Sequence, residues 1–219
     1  MPAKKQINLE RLKNAISLAA FLLVAWGFYR FLFQFPEEIE ELIIKPIVWL
    51  GATYYFVKKE RAKASSLGIT SKNLFPAIYL SLALGAVFVI EGLVINFVKY
   101  GSFNFAANIG QKALFAALGL SFATAISEEI TFRGYIFNRV WKTLNNEILA
   151  NLSTSLLWAL IHVPITIFVW KLSLGAALLY LLLTTIFGIG SAFVFARTKN
   201  VTSSILLHVL WEWPIILFR

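Results

Sequence analysis

The sequence predicts an all-α, polytopic transmembrane helical bundle of about seven spans, and three observations carry that prediction. Of the 219 residues, 59% are hydrophobic and the mean hydropathy is +0.75, against roughly 45–50% apolar content in a soluble globular domain. Seven stretches approach the length of about 20 mainly apolar residues that a helix needs to cross a hydrocarbon core. Charged residues make up only 14% of the chain, and most fall between those stretches. A chain of this length is read as a single integral membrane domain, residues 1–219,.

The first span, near 15–35, follows a basic start (Lys4, Lys5, Arg11, Lys13). That start resembles a secretory signal, but the apolar run continues to Phe35 with no small-residue cleavage site, so it reads as a retained helix,. A turn bearing Glu37, Glu38, Glu40 and Glu41 comes next and is most simply solvated. The second span, near 40–57, is interrupted by Lys45 and Pro46, as a tilted or partly interfacial helix would be,. Further spans are expected near 75–98, 106–127, 149–170, 173–196 and 201–218.

Orientation follows from the cations, which concentrate on the cytoplasmic side of membranes. With the N-terminus inside, the inner segments hold fourteen of the twenty lysines and arginines, and thirteen against six once Arg133 is set aside with the glutamates it follows. The net charge of +9 is therefore read as contact with anionic membrane lipid, and no nucleic-acid partner is expected,. Cysteine is absent, which removes disulfides, thiolate metal sites and cysteine nucleophiles and leaves the redox compartment open,. Asn151-Leu152-Ser153 and Asn200-Val201-Thr202 match the glycosylation pattern on the inner side and are read as chance,.

Ionisable groups at or within the spans are few, and those that stand out are Glu91, Glu128, Glu129, His162, His208 and Glu212, with Arg133 four residues after Glu129. An ionised carboxylate at membrane depth is costly unless paired or facing water, so these residues are functional candidates by default. Residues four apart share a helix face. Glu129 with Arg133, Trp158 with His162 and His208 with Glu212 are such pairs, while Glu128 lies about 100° around the helix from Glu129. Arg133 can then hold one glutamate while the other faces a cavity. A carboxylate in a cavity beside a neutral histidine suits a general base that takes a proton from water, and His208 with a polar residue one turn on suits an oxyanion. Trp158, Trp211 and Trp213 read as packing or interfacial anchors, and Glu91 equally as a structural or a catalytic group. A proton relay or carrier uses the same residue types.

Three other ways of cutting a peptide in a membrane are excluded. The chain has no aspartate for an aspartyl dyad,. It has no His-Glu-x-x-His,. Its nearest approach to Gly-x-Ser-Gly, at Gly188-Ile189-Gly190-Ser191-Ala192, fails at both glycines flanking the serine.

Three motifs carry a resemblance: Glu128-Glu129-Ile130-Thr131-Phe132-Arg133, Trp158-Ala159-Leu160-Ile161-His162 and His208-Val209-Leu210-Trp211-Glu212. They resemble Glu-Glu-x-x-x-Arg, Phe-x-x-x-His and His-x-x-x-Asn/Asp of the CPBP family, the CAAX proteases and bacteriocin-processing enzymes also called Abi proteins. Tryptophan replaces phenylalanine in the second, and Glu212 stands where an amide or aspartate is usual in the third. The similarity covers residues 106–218. It implies an intramembrane endopeptidase like the type II CAAX prenyl endopeptidases, in which Glu128 with His162 activates water and His208 with position 212 stabilises the tetrahedral intermediate. It also implies a site open toward the cytoplasm and a lipidated or hydrophobic peptide or protein substrate that enters from the bilayer. Family members are often described as metalloproteases, and two histidines with a glutamate could ligate zinc. Residue types leave metal-assisted and metal-free catalysis both open; the adjacent glutamates with their arginine fit a tuned base better than a ligand set. Small-residue faces such as Gly188 with Ala192 leave the oligomeric state open.

Overall fold

The computed structural model describes residues 2–103 and 114–217. Seven helices are present among them. Helix α1 is Pro2–Leu32, α2 covers 37–59, α3 is Leu74–Tyr100, α4 covers 114–144, α5 covers 147–169, α6 is Leu174–Thr198 and α7 is Thr202–Leu217. The opening of the fourth expected span, the last residue of the seventh and the side chain of Trp213 lie outside the described residues.

Five of the seven are long and apolar enough to cross a membrane: Asn8–Leu32, Leu74–Val98, Phe115–Leu144, Glu147–Val169 and Leu174–Thr198. Helix α2 falls short because of the charges it carries, and α7 because its described length is 16 residues. The outer faces are apolar, with Phe28 and Phe31 of α1, Ile90 and Val98 of α3 and Leu178 and Leu182 of α6 all exposed. Such continuous apolar exposure is what lipid-facing helices present. The chain is an integral membrane protein.

Two features of the helices bear on the site. Helix α4 does not stop at the glutamates but runs on to Leu144, passing through a π-helical stretch at Ile130–Phe137. Wide turns of this kind recur at functional sites because they shift the side-chain register within a continuous helix. Arg133 and Arg139, counted above as inner-loop cations, are therefore buried in the bundle at 2% and 4% exposure. Helix α2 likewise contains π turns, at Glu40–Ile44 and Pro46–Leu50, so Pro46 lies within a continuous helix and does not end it.

Close helix approach is made by small residues. A Cβ on Gly85 of α3 would meet the Leu210 side chain of α7 at 2.4 Å, and one on Gly188 of α6 would meet Ser155 of α5 at 3.0 Å and the Arg133 guanidinium at 3.3 Å. The Gly188 face thus packs within one chain. Helix α5 begins at Asn146, whose side chain accepts from the Leu149 amide at 3.0 Å, and α6 at Ser173, which accepts from Ala176 at 3.3 Å. These caps satisfy amide donors that would otherwise be orphaned at a helix start. The two glycosylation-like asparagines are structural: Asn151 donates to the Ile189 carbonyl, and Asn200, fully buried, donates to the carbonyls of Thr70 and Lys72.

The interior centres on Trp49, Phe132, Trp158, Phe187 and Leu207, with Leu18 and Leu22 closing it from α1. The segments before, between and after the helices that carry most cations gather at one end. Thr143 donates to the Asn8 carbonyl at 3.0 Å, Arg139 to the Ser66 carbonyl at 2.9 Å, and Asn200 links the 198–201 turn to residues 70–72.

Candidate active site

Glu128 and Glu129 leave α4 in different directions, and their surroundings divide their work. Glu129 is fully buried and saturated. One oxygen accepts from Arg133 Nη1 at 3.2 Å and His208 Nδ1 at 2.7 Å, the other from Ser191 Oγ at 2.6 Å. Arg133 also donates to the Gly188 carbonyl at 3.3 Å and lies over the Trp158 ring at 4.6 Å. A guanidinium gripped on three sides neutralises Glu129 and leaves it a holding group.

Glu128 instead lines a cavity of about 330 Å³. Its Oε1 accepts from Lys45 Nζ at 3.0 Å and its Oε2 from Trp158 Nε1 at 2.9 Å. His162 Nε2 stands 3.8 Å from the same Oε2. His162 Nδ1 lies 2.8 Å from the Trp158 carbonyl, which can only accept, so Nδ1 carries a proton and the Nε2 lone pair of the neutral ring faces the cavity,. His208 shares the cavity wall, its ring anchored through Nδ1 on Glu129. Glu212 is in the same wall, but its carboxylate accepts from Ser121 of α4 and makes no hydrogen bond to His208.

Six of the seven candidates named from the sequence thus meet in one place, and Glu91 does not. Glu128, His162, His208 and Glu212 line the cavity, and Glu129 with Arg133 forms the layer behind it. Of the three expected helical pairs, Glu129 with Arg133 is joined directly and Trp158 with His162 through the indole residue's carbonyl. His208 with Glu212 is not joined, because the spacing puts them on one wall while Glu129 and Ser121 compete for their polar atoms.

Sequence reasoning missed several members. Lys45, read as an interruption of the second span, is buried at 4% exposure and bridges Glu41 at 2.6 Å to Glu128. The acidic turn is not wholly solvated. Glu40 and Glu41 are buried, Glu40 bonded to Arg30 and Tyr29, Glu41 to Lys45 and Thr124. A lysine four residues after a glutamate inside an apolar span was the available signal. Trp158 packs against Phe187 and His208 as expected, but it also donates the hydrogen bond that orients Glu128.

Glu91 lies apart from Glu128 and Glu129, in an apolar groove of about 400 Å³ between α3 and α6. The groove shares Trp170, Tyr180 and Trp211 with the main cavity, so the two spaces adjoin.

Among the described residues no three of His, Cys, Asp or Glu come together to hold a metal ion. The carboxylates are already engaged by Lys45, Trp158, Arg133, Ser191 and Ser121. The arrangement does not fit a zinc site, and no step below runs through a metal.

The cavity lining includes Phe35, Glu37, Val169 and Trp170, which lie by the turns after α1 and α5, at the end of the bundle opposite the basic segments. With the basic end in the cytoplasm, this lining lies toward the other face, away from the cytoplasm-facing site that the resemblance implies.

A helical membrane bundle that buries an adjacent glutamate pair, an arginine and two histidines from three helices defines a class, the CAAX-protease-like polytopic membrane proteins. Residues 110–214, just under half of the chain, match the family described as type II CAAX prenyl endopeptidase Rce1-like. No curated protein and no solved structure matches the chain. The matched family is one of peptidases, and the match supports a CAAX-type intramembrane protease.

Proposed function

We propose that this protein is an intramembrane endopeptidase that hydrolyses peptide bonds near lipidated or hydrophobic termini, with Glu128 and His162 activating the attacking water. The observation that carries this reading is the position of Glu128, a carboxylate oriented by Lys45 and Trp158 on a cavity, with the His162 Nε2 lone pair 3.8 Å away. A water seated between those two groups loses its proton to them as its oxygen adds to the scissile carbonyl carbon. The oxyanion so formed is met by His208. Glu129 anchors the ring through Nδ1, which leaves Nε2 as the nitrogen on the cavity side that donates to the oxyanion,. Collapse of the intermediate breaks the C–N bond, and the proton taken from water passes to the leaving nitrogen. The apolar groove beside the cavity suits the hydrophobic flank of a substrate,. Residues 106–218 form the catalytic core in this reading, and α1 and α2 supply Trp26, Arg30, Glu41 and Lys45 to its wall.

The purified chain in bilayers should cleave a prenylated CAAX peptide or a hydrophobic propeptide. Glu128→Gln should lower turnover about 10²–10⁴-fold, the usual worth of a general base; unchanged turnover would reject Glu128 in that role. A zinc chelator should leave cleavage intact, and loss restored by added zinc would overturn the metal-free assignment. The Glu41–Lys45–Glu128 ion chain also suits a non-enzymatic carrier or immunity protein. That reading wins if transport or protection survives in Glu128→Ala combined with His162→Ala with no cleaved product by mass spectrometry.

A further inference from the structure

The catalytic cavity and the cations of this chain occupy opposite ends of one bundle, and that separation decides from which side a substrate arrives. Helix α1 starts beside the basic segments at Asn8 and ends at Leu32, at the other end of the bundle. Its residues Trp26 and Arg30 line the cavity, and so does Phe35. Helix α5 starts at Glu147, next to the basic 138–144 segment, and reaches His162 after Glu147–Ile161. At 1.5 Å per residue that run places His162 roughly 22 Å from the basic end. Trp49, Phe132 and Tyr135 are buried between the two regions, and Tyr135 is bonded to Glu60 at the basic end.

The burial data also sharpen the charge count. A cation paired inside the bundle reports nothing about the side it faces, because it meets a carboxylate and not the membrane surface. Arg133 and Arg139 leave the fourteen on this ground, and Arg30 and Lys45 leave the other six, so twelve stand against four. The rule that places lysine and arginine in the cytoplasm thus applies more strongly after correction than before. The cavity lining at the opposite end includes Glu37.

We infer that the basic end faces the cytoplasm and that the catalytic cavity opens to the non-cytoplasmic face, so its substrates are peptide segments presented there. Such a segment is either a translocated peptide or the external flank of a membrane-anchored protein, with its apolar portion in the groove beside Glu91. The choice of substrate rests on the peptidase reading; the sidedness does not.

The absence of cysteine makes a direct test available. Ser102→Cys marks the turn after α3 at the cavity end, and Ser65→Cys marks the exposed turn before α3 at the basic end. In sealed right-side-out vesicles a membrane-impermeant maleimide should label Ser102→Cys at once and Ser65→Cys only after permeabilisation. The reverse pattern overturns the proposal. In the same vesicles carrying the unaltered chain, a hydrophobic peptide with a soluble, charged tail added outside should be cleaved without permeabilisation. Cleavage only after permeabilisation overturns the substrate assignment. Labelling as expected with no cleavage from either side overturns the peptidase reading on which that assignment rests.

Discussion

Glu60 and Glu128 are both buried carboxylates held by a cation at close range, yet one is a structural clamp and the other a candidate base. Glu60 accepts from Arg139 Nη2 at 3.1 Å and Nε at 3.3 Å, from the Tyr135 hydroxyl, and is approached by Arg11 at 3.9 Å. Those contacts tie the end of α2 to α1 and α4 and leave its oxygens saturated. Glu128 has one lysine and one indole as donors, and the rest of its surroundings is open cavity with a histidine across it. The same functional group becomes structural when every lone pair is claimed and reactive when space for a water and a substrate remains beside it. A buried charge is therefore informative about function only together with the volume it faces.

The comparison can be broken by removing each charge in turn. The largest effect expected is that of Glu128→Gln on turnover, with a smaller change in thermal unfolding because the glutamine carbonyl still accepts from one of the two donors and Lys45 keeps Glu41 as its counter-charge. Glu60→Gln should do the opposite. It leaves Arg139 buried without its counter-charge, at a cost of about 3 kcal/mol in stability, while turnover of the molecules that remain folded stays near the unaltered value. Thermal unfolding in detergent and turnover per folded molecule separate the two outcomes, and equal effects of both variants on either readout would dissolve the distinction. The smallest change is Trp158→Phe, which keeps the ring beside Phe187 and removes only the N–H donor to Glu128. One hydrogen bond is worth about 1 kcal/mol, so a loss of about fivefold in kcat is expected. Retention of full kcat would show that the carboxylate needs no indole to orient it.

Much of the site was legible in the residues themselves. Glu128, Glu129, Arg133, His162, His208 and Glu212 stood out because ionisable groups are costly in apolar helices, and the four-residue spacing correctly joined Glu129 to Arg133,. The same reasoning failed where it treated charge in a span as a defect. Lys45 looked like a break, and Glu40 and Glu41 like a wet turn, because a linear count of charges carries no record of partners from other helices. It fell short again at the end of α4, where the expected span stopped at 127 and the helix runs on to Leu144, with Arg133 and Arg139 buried against Glu129 and Glu60.

Composition and hydrophobic run length alone determined that this chain is a helical membrane protein, because hydrocarbon tolerates only backbones that satisfy their own hydrogen bonds. The three motifs determined which residues to watch. Only tertiary structure decided which glutamate is spent on holding and which faces open space, that α2 supplies a lysine to the centre, and at which end the cavity lies. Those depend on contacts between residues such as Lys45 and Glu128, 83 positions apart, which no local pattern along the chain encodes.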